Sequence, residues 1–385
     1  MIYFDNAATT WPKPDIVYYT ADTVAKRHGG NAGRGGNAMA VAAAEEIYNC
    51  RCALASFFGA QPENIIFTLN TTYAINMAIK SSVRQGSHIL ISDIEHNSVL
   101  RPIIELTKRG VITYDIFDSS GDADNVMESI RRHIRSNTRM IVCTHMSNIV
   151  PVTLPIAKIG SFCRDRGICF IVDAAQSAGF LDINVEEMKI DALCIPGHKG
   201  LYGMQGCGAL VLGDNAGEYF KRTFIEGGSG SDSSLPHMPE YTPDRYEAGT
   251  MPAHTIAALR AGVEWINTRG ISDIRQHETS ICTDIIKRLK INPNVKLYYE
   301  DSYDDGTYNI VLFNIKGIPP TEVSTLLNER GICVRAGLHC APMAHKKIGT
   351  YPEGAVRISC GVFNTEREAI RLTNEIKRIA DMSAK

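Results

Sequence analysis

Short apolar segments alternate with segments of helical periodicity through residues 65–196, and this alternation constrains the fold more than any other feature of the chain. Strand-like runs separated by amphipathic helices are typical of βαβ units, and therefore of a mostly parallel sheet with helices on both faces. The predicted strands cover residues 65–67, 88–92, 112–117, 140–143, 169–172 and the run that follows Asp191. Ligands of such α/β folds bind at the carboxyl ends of the strands, which is where we expect functional residues.

The length of 385 residues allows two domains, and the composition changes where the first should end. Residues 227–244 are rich in glycine, serine and proline, which indicates an exposed loop. The order of elements after the next helix differs from the βα alternation before it. We therefore predict a large domain over 15–257 and a smaller α+β domain over 258–385, with residues 1–14 packing near the smaller domain.

Charge and hydropathy argue against several classes of partner. The net charge of −2 gives no electrostatic basis for binding nucleic acid or an anionic membrane surface. No apolar run approaches the ~20 residues that span a bilayer, and the segment from Met1 to Asp5 lacks the pattern of a signal peptide. We therefore expect a cytoplasmic protein that binds neither nucleic acid nor membrane.

The 11 cysteines are scattered along the chain and include no Cys-x-x-Cys pair. We expect neither a disulfide framework, given the size and compartment, nor a metal site, because zinc spacing is absent. Most cysteines should be small buried hydrophobic residues, and Cys143, Cys169, Cys194 and Cys333 lie in apolar runs that fit this default. Cys340 is one of the few that lie outside an apolar strand.

Two glycine-rich segments have different interpretations. Residues 30–36, which include Arg34, do not follow a strand, so a dinucleotide-binding fingerprint fails its structural context and a mobile loop is predicted. The run after Asp191 breaks at Pro196 into a glycine-rich turn that carries His198 and Lys199. Desolvation of a lysine in that position lowers its pKa and leaves an amine able to form a Schiff base. This segment alone leaves open an ordinary solvated lysine.

Polar residues follow four other predicted strands, each with a plain structural alternative. Thr71 and Thr72 open a helix whose N–H groups suit a phosphate, although a helix cap is the simpler alternative. His96 could stack on a flat ligand or move a proton, and Asn148 could donate a hydrogen bond to a ring oxygen or a carboxylate. Asp173 ends a buried strand and needs a cation, such as a pyridinium nitrogen, unless it caps a helix.

A pyridoxal 5'-phosphate site needs four features that these residues supply together: a phosphate cradle, a stacking histidine, an acid for the ring nitrogen and a reactive lysine. The residues resemble the class V aminotransferase fold, a pyridoxal phosphate-dependent transferase fold of type I, and specifically the group II cysteine desulfurases. The resemblance covers essentially the whole chain. Its motifs are Thr71-Thr72, Glu95-His96, Ser147-Asn148, Asp173-Ala-Ala-Gln176, Gly197-His198-Lys199, Glu247-Ala-Gly-Thr250 and Arg335-Ala-Gly-Leu-His339-Cys340-Ala.

The resemblance implies a role for each matching position. Lys199 would hold the cofactor covalently and later move the α-proton of the substrate. His96 would stack on the ring, and Asp173 would pair with the ring nitrogen. Gln176 would bond the phenolic oxygen, and Thr250 would reach the phosphate of the neighbouring subunit in a homodimer. The remaining implied cofactor contacts are Thr71, Thr72, Asn148 and His198.

The same resemblance implies that Arg357 binds the substrate carboxylate with help from Asn148, and that Arg34 completes the entrance from the partner chain. Cys340 would accept sulfur from L-cysteine, yielding L-alanine and a persulfide. An adjacent histidine and nearby Arg335 give an electropositive setting that favours a thiolate, against the alternative of a spare loop cysteine. A sulfur-acceptor protein would then use the sulfur for iron–sulfur clusters or other sulfur-containing products.

Several positions depart from the pattern of the family. Pro196 stands where a hydroxyl residue is usual, and Pro252 replaces an asparagine. Asn97 and Leu338 replace histidines, and Pro342 comes shortly after the predicted nucleophile. The alternatives are a selenocysteine lyase acting on L-selenocysteine, another pyridoxal phosphate-dependent lyase or aminotransferase of the same fold, and a catalytically silent scaffold in sulfur assembly.

Overall fold

The fold is that of a computed structural model, which describes residues 1–33, 36–231, 233–299 and 308–382. The strands are β1 (Ile2–Tyr3), β2 (Ile65–Thr68), β3 (Ser87–Ser92), β4 (Ile112–Phe117), β5 (Thr138–Thr144), β6 (Cys169–Asp173), β7 (Ala192–Pro196), β8 (Gly208–Leu212), β9 (Val295–Leu297), β10 (Ile310–Ile315), β11 (Ile332–Cys333), β12 (Arg335–Gly337) and β13 (Ala355–Ser359).

The helices connect these strands and cover both faces of the larger sheet. They are α1 (Asp15–Arg27), α2 (Ala38–Phe58), α3 (Thr71–Ser82), α4 (Asn97–Lys108), α5 (Ala123–His133), α6 (Ile156–Arg164), α7 (Ala253–Arg269), α8 (Ile271–Lys290), α9 (Pro320–Glu329), α10 (Pro342–Lys347) and α11 (Glu366–Met382). Two short 3-10 helices cover Pro62–Asn64 and Asp214–Glu218.

Seven strands form the large sheet in the order β2-β8-β7-β6-β5-β3-β4. The five strands from β7 to β4 are parallel to one another, which confirms the predicted α/β class and its mostly parallel sheet. Strand β8 runs antiparallel to both of its neighbours, β2 and β7. The carboxyl ends of β3, β5, β6 and β7 therefore meet along one edge, where the polar residues of the sequence follow them.

Strand β8 was not predicted, because its first residue belongs to a glycine-rich segment interpreted as a loop. The structure gives a packing reason for Gly208. A Cβ at that position would lie 2.6 Å from the carbonyl oxygen of Ile195 on β7. The glycine thus permits close approach of the two strands rather than marking a flexible turn.

Both faces of the large sheet are covered around its central strands, which explains why β6 and β7 are fully buried and almost entirely apolar. Along β3, Leu90 belongs to a hydrophobic core on one face, while Ile89 and Ile91 belong to the core on the other. Helices α2, α6 and α7 contribute to the first core, and α3 and α4 contribute to the second. This packing fixes the strand ends as a rigid platform.

The smaller unit has an antiparallel sheet in the order β12-β13-β10-β9 and its own hydrophobic core with α8, α9 and α11. Strand β1 pairs in parallel with β11, so Ile2 and Phe4 join this core. The predicted boundary between 257 and 258 falls inside α7, and Leu259 and Val263 beyond it still pack in the core of the large sheet. The boundary stays a prediction, and the packing favours a position after α7.

None of the helices in the described ranges is both long and apolar enough to cross a lipid bilayer.

Candidate active site

Eight of the predicted residues line one cavity of about 100 Å³, which we call the inner cavity. It lies at the carboxyl edge of the large sheet, where β3, β5, β6 and β7 end. The predicted residues that line it are Thr71, Thr72, His96, Asn148, Asp173, Gln176, His198 and Lys199. Residues far apart in sequence therefore converge on one site because the sheet is parallel.

One end of the inner cavity suits an anion. Asn70 caps α3 by accepting a hydrogen bond from the N–H of Tyr73 at 3.0 Å, so Thr71 and Thr72 stand in the first turn of the helix. Among the described residues, neither Thr71 Oγ1 nor His198 Nδ1 has a hydrogen-bond partner, although both atoms are buried. Such orphaned atoms are costly unless a ligand satisfies them, and a phosphate at a helix N-terminus does so.

His96 is held in one orientation above this site. It is the N-cap of α4, and its Nδ1 accepts a hydrogen bond from the N–H of Ser98 at 3.0 Å. The neutral ring therefore carries its proton on Nε2. Burial, reinforced by the positive charge of Lys199, lowers the pKa of His96 to about 4, so the ring is neutral at pH 7.

Asp173 ends β6 and is almost completely buried. Its Oδ1 accepts a hydrogen bond from the N–H of Ala175 at 2.9 Å, while burial raises the pKa of the carboxyl group. A cation in the inner cavity would reverse this shift and stabilise the carboxylate. A protonated pyridine nitrogen is a cation of the right kind.

Lys199 follows β7 in a turn that only glycine permits. A Cβ at Gly200 would lie 2.3 Å from the carbonyl oxygen of Ala178. Burial lowers the pKa of Lys199 to about 8. The negative charge of Asp173 acts in the opposite direction, and the positive charge of Arg357 opposes Asp173 in turn. A substantial fraction of the amine is therefore neutral and nucleophilic near physiological pH.

The amino-terminal segment is hydrogen-bonded to the turn that carries His198 and Lys199. The sequence did not reveal this contact. The carbonyl oxygen of His198 accepts hydrogen bonds from the side chains of Thr9 at 3.0 Å, Thr10 at 3.2 Å and Lys13 at 3.1 Å. Burial lowers the pKa of Lys13 to about 8. Gln176 donates a hydrogen bond to the carbonyl oxygen of Ala7 at 3.2 Å, so the same segment also borders the inner cavity.

Arg357 lies on β13 beside the inner cavity rather than among its lining residues. Its Nη1 donates a hydrogen bond to the carbonyl oxygen of Asn148 at 3.1 Å, and its Nη2 pairs with Asp5 Oδ1 at 2.9 Å. Its Nε is buried without a partner in the described part of the chain. The guanidinium is therefore held in place while its Nε–H stays unused. Asp5 was missed, because nothing in a short amino-terminal strand signals a partner on β13.

Cys340 lines a second cavity of about 420 Å³, which we call the outer cavity. The inner and outer cavities share Thr72, His96 and Ser98, so the two spaces adjoin. All 11 cysteines lie in described residues, and Cys340 is the only exposed one. The prediction that most cysteines are buried is confirmed, although Cys333 is only partly buried. Lys199 and Cys340 thus face adjoining spaces.

The loop that carries Cys340 is fixed by specific contacts. His339 and Cys340 both have left-handed backbones, with φ of 48° and 59°. The carbonyl oxygen of His339 accepts a hydrogen bond from Asn148 Nδ2 at 2.9 Å, and that of Cys340 accepts one from the N–H of Asn97 at 2.7 Å. The Cys340 loop is therefore held against the first turn of α4 and against Asn148, whose carbonyl oxygen also accepts a hydrogen bond from Arg357.

The geometry is matched by the comparisons with known proteins. The family model of aminotransferase class V matches residues 2–372. The chain belongs to the class V aminotransferase family. This family implies pyridoxal 5'-phosphate as cofactor, so the chain is a pyridoxal phosphate-dependent enzyme.

Relatives within the class V family have a consistent name. A probable cysteine desulfurase from Methanothermobacter thermautotrophicus is 30% identical over 99% of this chain and 95% of its own length. The apo structure of a cysteine desulfurase from Thermococcus onnurineus superimposes with a TM-score of 0.90 at 28% identity, covering 99% of this chain and 95% of that one. A cysteine desulfurase from Escherichia coli gives a TM-score of 0.87 at 25% identity, covering 99% and 94%.

Thr250, a predicted cofactor contact, is not among the residues that line the inner cavity. Thr250 is exposed and lines a third cavity of about 200 Å³, where its Oγ1 accepts a hydrogen bond from Asn31 at 3.2 Å. Glu247 anchors this segment to β2 by accepting a hydrogen bond from the N–H of Phe67 at 2.7 Å. Arg34 lies outside the described residues. The roles of Thr250 and Arg34 across a dimer stay predictions.

Helix α10, which follows the Cys340 loop, supplies a further contact that the sequence did not reveal. Lys347 Nζ pairs with Asp93 Oδ2 at 2.6 Å and Asp118 Oδ1 at 2.7 Å, and donates to Ser119 Oγ at 2.9 Å. These three partners follow β3 and β4 of the large sheet. Lys347 thus ties the Cys340 loop to the platform that carries the inner cavity.

Proposed function

We propose that this class V enzyme is a cysteine desulfurase that converts L-cysteine to L-alanine and leaves the sulfur as a persulfide on Cys340. The names of the relatives support the reaction. The observation that carries the assignment of residues is that Lys199 and Cys340 line adjoining cavities with three residues in common. A nucleophilic amine and an exposed thiol can therefore act on one amino acid.

The residues of the inner cavity fit pyridoxal 5'-phosphate. When bound, the cofactor withdraws electrons from the α-carbon of the substrate amino acid. We assign Thr71, Thr72 and His198 to its phosphate, because the unpartnered Thr71 Oγ1 and His198 Nδ1 then gain an acceptor or donor. We assign Asp173 to the ring nitrogen and Lys199 to the covalent attachment.

The other cavity residues orient the ring. We assign Gln176 to the phenolic oxygen, with Asn148 beside it, and the neutral ring of His96 to stacking. The fixed Nδ1 contact of His96 leaves its Nε2 proton directed away from Ser98 and available to a ligand.

Arg357 and Lys199 handle the substrate in this proposal. Arg357 binds the carboxylate of L-cysteine, since its Nε is unused and its guanidinium is already oriented. The amine of Lys199 takes the α-proton and returns it during formation of alanine, because the pKa of about 8 suits proton transfer near neutral pH. L-Selenocysteine is the alternative substrate, and the relatives named for cysteine do not favour it.

The Cys340 thiolate attacks the sulfur of L-cysteine. An S–S bond forms as the carbon–sulfur bond breaks, and the β-carbon takes a proton to become the methyl group of alanine. We further propose a homodimer in which Thr250 and Arg34 act toward the partner subunit, a cytoplasmic location, and an acceptor protein that removes the persulfide sulfur for iron–sulfur clusters or other products.

The test is incubation of the purified holoenzyme with L-cysteine, followed by measurement of alanine and of the mass of Cys340. We expect one alanine and one added sulfur per active site in the first turnover. Cys340→Ser should retain cofactor absorbance but form alanine far more slowly, and Lys199→Ala should lose the visible absorbance of the attached cofactor. Alanine formation by Cys340→Ser at the native rate would refute the assignment. Faster turnover of L-selenocysteine without Cys340 would favour the lyase.

A further inference from the structure

The outer cavity has a charge that the proposed desulfurase chemistry does not use. Beyond Cys340, its walls are the facing sides of α3 and α4. The charged residues that line it are Lys80, Arg101, Arg109 and Glu105. Three cations against one carboxylate give a formal charge of +2, whereas the whole chain has a net charge of −2. The positive charge is therefore concentrated beside the exposed thiol.

Only part of this charge is neutralised within the protein. Arg109 pairs with Glu105 at 2.8 Å. The ammonium group of Lys80 lies 5.4 Å from the centre of the Phe224 ring and forms no ion pair with any residue in the described ranges. Arg101 forms no ion pair within the described part of the chain. Lys80 and Arg101 are both exposed, so a ligand can reach them.

The two cavities differ in size as well as in charge. The inner cavity of about 100 Å³ is lined mainly by residues already assigned to the cofactor, whereas the outer cavity of about 420 Å³ has room for a short peptide segment. Pro102 and Leu106 give the outer cavity an apolar wall between its charges. Cys340 lines the outer cavity next to the inner one, so a group bound in the outer cavity can reach the sulfur that Cys340 receives from the substrate.

We propose that the outer cavity receives a protein acceptor whose cysteine stands between carboxylate side chains, and that Lys80 and Arg101 bind those carboxylates. This inference rests on the proposed function and specifies the acceptor. A thiolate held between acidic residues is repelled by an acidic surface and is not attracted by a neutral one, but it is drawn to Cys340 by the positive charges of Lys80 and Arg101. The charge of the cavity therefore selects the acceptor.

The transfer balances without another reactant. The acceptor thiolate attacks the terminal sulfur of the Cys340 persulfide, so one S–S bond forms as the other breaks. The acceptor becomes the persulfide, and Cys340 leaves as a thiolate that takes the proton lost by the acceptor. No net oxidation or reduction occurs.

The experiment uses holoenzyme loaded with sulfur by L-cysteine and three capped pentapeptides with a central cysteine flanked by aspartates, serines or lysines. Sulfur transfer to each peptide is measured by mass spectrometry. Each rate is divided by the rate at which the same peptide reacts with a small disulfide, which removes differences in thiolate content. The variants are Lys80→Gln with Arg101→Gln, and the control is Arg132→Gln on α5, which removes the same kind of charge far from Cys340 in sequence.

We expect the aspartate peptide to react about tenfold faster than the serine peptide at low salt, and the lysine peptide to react slowest. The preference should fall to within about twofold at ~0.5 M salt and in the double variant, and persist in Arg132→Gln. Equal rates for the three peptides, or a preference unchanged in the double variant, would overturn the inference. Failure of the proposed function would look different, since no sulfur would load onto Cys340.

Discussion

Replacement of Asp5 by asparagine tests how Arg357, the arginine proposed to bind the substrate carboxylate, is held. Asp5 pairs with Nη2 of Arg357, whose side chain is 1% exposed, while the side chain of Asp5 is 20% exposed. Asparagine keeps the shape and an accepting oxygen but removes the charge. Two unit charges about 4 Å apart interact by about 4 kcal/mol at an effective dielectric constant near 20. Partial exposure of Asp5 reduces this to about 2 kcal/mol.

We therefore expect Asp5→Asn to lower the free energy of unfolding by about 2 kcal/mol and the Tm by about 4 °C, since about 2 °C per kcal/mol is typical of larger chains. Thermal unfolding of the holoenzyme, followed by fluorescence, measures the change. Propionate carries a carboxylate but no reactive amine, and it should raise the Tm of Asp5→Asn more than that of the native protein, because Arg357 then lacks its counter-ion.

The matched control is Asp182→Asn. Asp182 pairs with Arg275 at 3.6 Å, but its side chain is 72% exposed, so its replacement should change stability by less than about 0.5 kcal/mol. Equal Tm values for Asp5→Asn and this control, together with equal stabilisation of both variants by propionate, would refute the role of Asp5 as the counter-ion of Arg357. Asp5 would then be a passive neighbour of Arg357.

Three further predictions concern the loop, the lysine and the phosphate. Lys347→Met removes the ion pairs between α10 and two carboxylates, and it should slow single-turnover persulfide formation about tenfold at unchanged cofactor absorbance. The control Lys346→Met should not slow it. Cofactor uptake by apo-protein, followed by absorbance, should accelerate as pH rises to about 8 and then level off, because only the neutral amine of Lys199 reacts; a flat profile contradicts this. Thr71→Val should weaken cofactor binding about fivefold by titration, since about 1 kcal/mol of hydrogen bonding is lost.

The sequence allowed the platform and the chemistry at its edge to be predicted for a physical reason. Buried parallel strands are mostly apolar, so the polar residues at or shortly after their ends, such as His96, Asp173 and Lys199, stand out where the apolar run stops. These signals lie within a few residues of the features they identify.

Contacts between distant segments could not be predicted in this way. Asp5 meets Arg357, and Lys13 meets the carbonyl oxygen of His198, through pairings that no periodicity encodes. Lys347 has ordinary surface composition around it, and its two carboxylate partners are visible only once α10 is placed against the ends of β3 and β4. Sequence patterns indicate which face of an element is buried but not which element covers it.

The attachment of Thr9, Thr10 and Lys13 to the carbonyl oxygen of His198 affects how the protein should be handled. Trimming residues 1–13 would release the peptide unit next to Lys199 and remove the counter-ion of Arg357 in the same cut. An affinity tag is therefore better placed after α11 than before β1, and a truncated preparation that fails to bind cofactor should not be taken as proof of an inactive enzyme.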